Sequence, residues 1–160
     1  MPASRAVYGP QCRELFTAPE GKVLVGADAS GLELRALAHF LHPYDNGAYA
    51  RTILEGDIHT VNQQAAGLPT RDHAKTFIYA FLYGAGDQKI GSIVGGSRRE
   101  GKRLKEEFMR KTPAIKKLQH AIEQALKGKQ WLGGLDGRRL PVRSHHSALN
   151  LLLQSSGSVL

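Results

Sequence analysis

Between residues 70 and 86 (TRDHAKTFIYAFLYGAG), Ala74, Phe77, Ile78 and Phe81 recur at three- and four-residue steps. That period predicts an amphipathic helix with one inward stripe, Thr70 at its N-cap and no break before Gly84. Upstream, residues 22–27 (KVLVGA) are an unbroken run of β-branched and small residues. Such a run predicts a buried strand, which stops at Asp28. Ser30-Gly31 turns the chain, and Leu32, Leu34, Leu37, Ala38 and Leu41 open a helix that Pro43 should break. Residues 46–55 and 57–66 read as two short helices, the second capped by Asp57. The prolines and Gly9 of residues 2–19 predict an irregular lead-in, within which CRELF fits either a helical turn or an edge strand.

The second half is patterned as clearly. Residues 87–94 continue as a short helix ended by Gly95-Gly96, and Ser97-x-x-Glu100 is a capping-box pattern opening a helix to about Lys111. Thr112-Pro113 places a cap before a proline at the first helical position, opening another helix to about Leu126. Leu104, Phe108, Ile115, Leu118, Ile122 and Leu126 should pack these two together as an antiparallel hairpin. Residues 130–142 alternate and carry Asp136-Gly137, a hairpin turn signal, so a two-stranded ribbon is expected. Residues 144–160 read as a last helix capped by Ser144, with Asn150 and Gln154 on one side. The fold class is therefore α+β and predominantly helical, a single domain by length.

Composition narrows the picture. No apolar run approaches the roughly 20 residues of a membrane span, and Met1 leads into PASRAVYGP with no apolar leader core, so no membrane association is expected. Cys12 is alone, which excludes a disulfide framework or a cysteine metal site within one chain and fits a reducing cytoplasm. The formal net charge is +8, and residues 97–143 hold 14 Lys/Arg against 5 Asp/Glu. A basic surplus of that kind favours nucleic acid through phosphate neutralisation and counterion release, although a solvated basic face has the same composition.

Chemistry enters on the outer side of the helix at residues 70–83. Arg71, Lys75, Tyr79 and Tyr83 are spaced by four, about 40° apart at 3.6 residues per turn, so they share one side. Two cations in the first half of a helix oppose its macrodipole. The placement makes sense beside a polyanion: a guanidinium fork and an ammonium for phosphates, then two flat rings for a sugar or base. Spacing alone leaves open an ordinary amphipathic helix with a solvated basic face.

Arg71, Lys75, Tyr79, Tyr83 and Gly84 match R-x3-K-x3-(F/Y)-x3-Y-G and resemble motif B, the fingers helix of family A (Pol I-like) DNA polymerases. The local wording is similar to that of replicases of short-tailed bacteriophages. VGADASGLELRALAHFL resembles motif A of the same family. The resemblance covers residues 4–160 and implies a palm segment at about 1–42, fingers at 43–129, and a ribbon and helix returning to the palm at 130–160. It implies that Arg71 and Lys75 hold the incoming triphosphate, joined by His59 at the β-phosphate, and act in catalysis. Tyr79 and Glu33 would face the sugar, with Tyr79 permitting dideoxynucleotides and Glu33 excluding a 2′-hydroxyl. Tyr83 and Gly84 would guard the templating base, while Asn150 and Gln154 would bond the minor-groove edge of the primer-template, where acceptors are nearly the same for every base pair. Asp28 and the Ala29 carbonyl would bind two catalytic Mg²⁺ ions.

The implied function is template-directed DNA synthesis, with primer-template DNA and a deoxynucleoside triphosphate as partners in a host cytoplasm. The resemblance leaves out motif C, the His-Asp-Glu hairpin carrying the second metal-binding aspartate. The isolated chain is therefore expected not to synthesise DNA unless a second polypeptide supplies that segment. Two alternatives remain open at the level of sequence. A single-subunit RNA polymerase fragment shares the Asp and R-x3-K…Y-G patterns but tends to be small at position 33; a non-catalytic nucleic-acid-binding remnant would need no motif C.

Overall fold

A computed structural model describes residues 6–159. The chain divides into two units, residues 1–30 and 31–160. In the first, the lead-in contains a short helix, α1 (Gly9–Glu14), with Pro10 in its first turn. The run at residues 22–27 does not form the expected strand. Residues 22–29 are neither helix nor sheet, and Val23, Leu24 and Val25 are 80%, 66% and 89% exposed. The reason is physical. A strand of apolar residues is stable only when neighbours pair its N–H and C=O groups, and among the described residues the sheet consists of two other strands that pair with each other.

The second unit holds the core. Its helices are α2 (Leu32–Asp45), α3 (Ala48–Glu55), α4 (Ile58–Ala66), α5 (Arg71–Leu82), α6 (Asp87–Ile93), α7 (Arg98–Lys111), α8 (Pro113–Ala125) and α9 (Ala148–Gly157). Strands β1 (Trp131–Gly133) and β2 (Arg139–Pro141) pair antiparallel, Leu132 opposite Leu140, as the expected ribbon. The described part of this unit is thus predominantly helical with a small sheet.

Most predicted starts are real. The Thr70 hydroxyl accepts from the His73 N–H at 3.2 Å, and the Asp57 carboxylate accepts from the His59 N–H at 3.1 Å. Ser97 accepts from the Glu100 N–H at 3.5 Å, but the Glu100 carboxylate turns to Arg103 instead of completing the box. Three details differ. Pro43 sits inside α2 within its last turn, so that the helix ends two residues later at Asp45. Thr112 does not cap α8, because its hydroxyl donates back to the Phe108 carbonyl. Ser144 does not cap α9 either: a 3₁₀ turn, His145–Ser147, intervenes, and the Ser147 hydroxyl donates to the Ser144 carbonyl at 2.9 Å.

The inward stripe of α5 is buried as its period requires, with Ala74, Phe77 and Ile78 at 0% exposure. Phe77 and Phe81 each meet Phe108 of α7 edge to face at 5.2 Å between ring centroids, an arrangement favoured by the ring quadrupoles. α7 packs chiefly on α6 and α4, and α8 on α2, so the expected α7–α8 hairpin is a looser pairing than the periodicity suggested. Gly101 is what lets α6 approach. A Cβ there would fall inside the Asp87 carbonyl oxygen. With its inner stripe held this way, α5 presents the opposite side outward.

Candidate functional site

The outward side of α5 begins at an ion pair. Arg71 donates from Nε to Asp57 Oδ2 at 2.5 Å and from Nη2 to Oδ1 at 3.2 Å. The same carboxylate caps α4 and accepts the Thr60 hydroxyl at 2.8 Å. Arg71, with Thr60 and the His59 N–H, holds the Asp57 carboxyl well below the usual carboxylate range. The sequence signals only the capping role of Asp57. Its second role needed the fold, since the partner lies 14 residues away on the next helix.

His59 stands beside this pair, its ring 6.5 Å from that of Tyr79. Its Nδ1 atom is buried without a hydrogen-bond partner. Burial, helped by Arg71 and Lys75, pushes its pKa down, with Asp57 opposing. One turn beyond Arg71, Lys75 is exposed and makes no ion pair or hydrogen bond among the described residues. An unpaired ammonium close enough to destabilise an imidazolium is a ready receptor for anionic oxygen. Behind this strip, Asn62 of α4 is fully buried and donates to the Tyr49 hydroxyl at 3.4 Å. Burial pushes the Tyr49 phenol up to about 12.

The far end of the strip is a knot of three side chains from three helices. Gln154 of α9 donates to Glu33 Oε1 of α2 at 3.2 Å and to the Tyr83 hydroxyl at 2.9 Å, and that hydroxyl lies 3.4 Å from Glu33 Oε1. Tyr79 lies next to it. Its phenol is pushed up first by burial and then by the Glu33 charge and Tyr83. Asn150, one turn before Gln154, is half-buried. Gly84 closes α5 with φ +72°, and a Cβ there would come to 2.6 Å from the His146 carbonyl oxygen. The positive φ and the close carbonyl both require glycine. His145, His146 and Lys105 line an open cleft of about 260 Å³ beside Gly84; nothing in their spacing along the sequence signalled this.

Residues expected to act together are therefore assembled within the second unit: His59, Arg71 and Lys75 at the N-terminal half of α5, and Tyr79, Glu33, Tyr83 and Gln154 at its C-terminal half. Asp28 and Ala29 are exposed at the end of the first unit. Among the described residues no three His, Cys, Asp or Glu side chains converge as a metal-holding group. The donors present do not by themselves form a magnesium site, which wants octahedral oxygen coordination.

The arrangement offers cations and an imidazole for phosphates, a ring and carboxylate for a sugar, and a glycine-edged cleft for a base. The family model described as DNA polymerase family A matches residues 1–158. The DNA-directed DNA polymerases of Enterobacteria phage T3 and Escherichia phage T7 are each 54% identical to the chain, covering all of it and 26% of the relative. That of Escherichia phage Phieco32 is 44% identical over 88% of the chain and 28% of the relative. The chain thus spans about a quarter of the length of these curated relatives.

Proposed function

Because the chain belongs to DNA polymerase family A, we propose that it forms the fingers and an adjoining palm segment of a template-directed DNA polymerase. The reaction is attack of a primer 3′-hydroxyl on the α-phosphate of a deoxynucleoside triphosphate, with pyrophosphate leaving. The observation that carries this reading is the strip along α5, with a free cation and an imidazole at one end and the Glu33–Tyr83–Gln154 knot at the other.

Each part has a task that its chemistry fits. Lys75 and His59 meet the triphosphate, and Arg71 joins them by exchanging the Asp57 carboxylate for phosphate oxygens, the kind of partner its planar fork suits. Tyr79 lies along the sugar. Glu33, fixed by Gln154, stands where a 2′-hydroxyl would enter, which favours DNA over RNA synthesis and disfavours the RNA polymerase alternative. Tyr83 and Gly84 flank the templating base, and Asn150 and Gln154 read the minor-groove edge of the primer terminus. Family A polymerases work with Mg²⁺ as cofactor; Asp28 and the Ala29 carbonyl would be this chain's contribution to that centre, with the remaining carboxylate from a His-Asp-Glu segment that these 160 residues do not contain. The protein's own share is positioning and electrostatic stabilisation. Residues 1–42 serve as palm, 43–129 as fingers and 130–160 as the return to the palm.

The test is single-nucleotide incorporation by the chain completed with a polypeptide carrying the His-Asp-Glu segment. Lys75→Ala should weaken nucleotide or transition-state binding by about 1.5–3 kcal/mol, roughly ten- to a hundredfold, as loss of a charge-assisted contact does. Unchanged incorporation kinetics would refute the phosphate assignment.

A further inference from the structure

The first turns of α4 and α5 are tied together through one carboxylate. Both oxygens of Asp57 are filled: Oδ1 accepts from the His59 N–H at 3.1 Å and from Arg71 Nη2 at 3.2 Å, Oδ2 from the Thr60 hydroxyl at 2.8 Å and from Arg71 Nε at 2.5 Å. Four donors are about what a carboxylate can accept. Two of them belong to the first turn of its own helix, so the carboxylate stays at the start of α4 whether or not Arg71 is present. Arg71 is exposed on a long stem. If the pair opens, it is the guanidinium that moves.

The cap does not account for the charge. Asparagine and serine cap a helix about as well as aspartate, and either would leave Arg71 open to anions. A carboxylate that grips a guanidinium through two N–H···O bonds instead occupies the fork that would otherwise take two phosphate oxygens. Lys75, one turn on, is not covered in this way, being exposed without an ion pair or hydrogen bond among the described residues. The two cations of the strip therefore meet an incoming anion on unequal terms. A single anion at Arg71 must replace one two-bonded oxyanion by another and gains little. A ligand with several phosphates can be held at Lys75 first, and its exchange at Arg71 is then intramolecular, favoured by effective concentration.

We propose that Asp57 is a gate on Arg71, an internal stand-in for phosphate that keeps the guanidinium from single anions and yields it to a polyphosphate already held at Lys75. The inference rests on the polymerase reading above and adds to it the residue that sets the selectivity of the phosphate end. Asp57 is a positioning residue, acting through Arg71 and touching no substrate itself. The same contact gives the site a means of release, since the carboxylate, fixed at the start of α4, retakes Arg71 as pyrophosphate leaves.

The test follows the Arg71 Nε–H and Lys75 side-chain resonances of the isotopically labelled 160-residue chain, the first assigned by its loss in Arg71→Lys. The chain and its Asp57→Asn variant, which keeps a capping oxygen for the His59 N–H and removes the charge, are each titrated with inorganic orthophosphate and with a deoxynucleoside triphosphate. In the parent chain orthophosphate should shift Lys75 and leave the Arg71 Nε–H in place; in Asp57→Asn it should shift both. The triphosphate should move both groups in either protein and bind Asp57→Asn about two- to fivefold more tightly, the scale of an exposed, well-aligned ion pair. A carboxylate that served only to hold α4 together predicts the opposite sign, weaker binding in the variant. Orthophosphate reaching Arg71 as readily as Lys75 in the parent chain, or triphosphate affinity unchanged or lowered in Asp57→Asn, would overturn the proposal. The orthophosphate titrations need no nucleotide, so failure of the gate is told apart from failure of the polymerase reading, which would be seen as a triphosphate that moves neither Arg71 nor Lys75.

Discussion

Gly84 and Gly67 make a matched pair for measuring how tightly the corner proposed to guard the templating base is built. Both close a helix with a left-handed backbone, φ +72° and +66°. A Cβ on Gly67 would meet nothing within 4 Å, whereas one on Gly84 would lie 2.6 Å from the His146 carbonyl oxygen. Alanine at either position incurs roughly 1–2 kcal/mol of left-handed strain, offset by about 0.4–1 kcal/mol from the stiffer unfolded chain. Gly67→Ala should therefore cost between about 0 and 1.6 kcal/mol. Gly84→Ala must in addition push the His146 carbonyl out to ordinary contact near 3.4 Å, and displacing packed backbone typically adds about 1–3 kcal/mol. Urea unfolding of the two variants, compared at equal slope, should give a difference of that size. The function should follow the geometry. In the completed enzyme Gly84→Ala should depress primer extension while Gly67→Ala leaves it near the parent level. Equal stabilities for the two variants would mean that the 3₁₀ turn at His146 yields freely and does not set the edge of the cleft.

The remaining predictions concern the strip itself. Tyr79→Phe in the completed enzyme should restore discrimination against dideoxynucleotides, and Glu33→Ala should relax exclusion of ribonucleotides, both read in competition assays; unaltered ratios would separate these residues from the sugar. The His59 imidazole should titrate below its ordinary value of 6.5 in the free chain, followed by its ring proton resonances. A depressed imidazole contributes stability that is complete above its unfolded pKa and falls away as pH drops through 6.5 toward the folded value. Asp57→Ala, which removes the opposing charge, should lower the midpoint further, and an added nucleoside triphosphate should raise it. Finally, the purified 160-residue chain should not extend a primer, since Asp28 is the single motif-derived carboxylate it offers to two divalent ions, which would hold them poorly; Mg²⁺-dependent extension abolished by Asp28→Ala would reveal a carboxylate not yet identified.

What the sequence made legible was local. The caps at Thr70 and Asp57 and the buried stripe of α5 follow from spacing within one or two turns, and the structure reproduces them. The four-residue spacing of Arg71, Lys75, Tyr79 and Tyr83 sufficed to place them on one side, as their shared neighbours Asp57, His59, Glu33 and Gln154 bear out. The run at residues 22–27 misled because strand formation depends on partners that no local pattern supplies. Gln154 meeting Glu33 across 121 positions, and Gly101 admitting the Asp87 carbonyl, are likewise products of packing. The surplus of charge was visible in composition, but its division between the largely paired cations of α7 and those of the ribbon, where Arg138 pairs with Asp136, depends on which acids each cation can reach.

The central claim is that the outer side of α5 receives a nucleoside triphosphate with its phosphates toward Arg71, and a two-dimensional NMR titration of the isotopically labelled chain tests it without any catalysis. Adding a deoxynucleoside triphosphate should shift the amides of Arg71 to Tyr83, the His59 ring and the Lys75 side chain together. A lone sugar-base fragment should perturb only the Tyr79–Tyr83 end, and Lys75→Ala should reduce affinity about tenfold or more. Shifts clustered elsewhere, or an affinity indifferent to Lys75, would contradict the account.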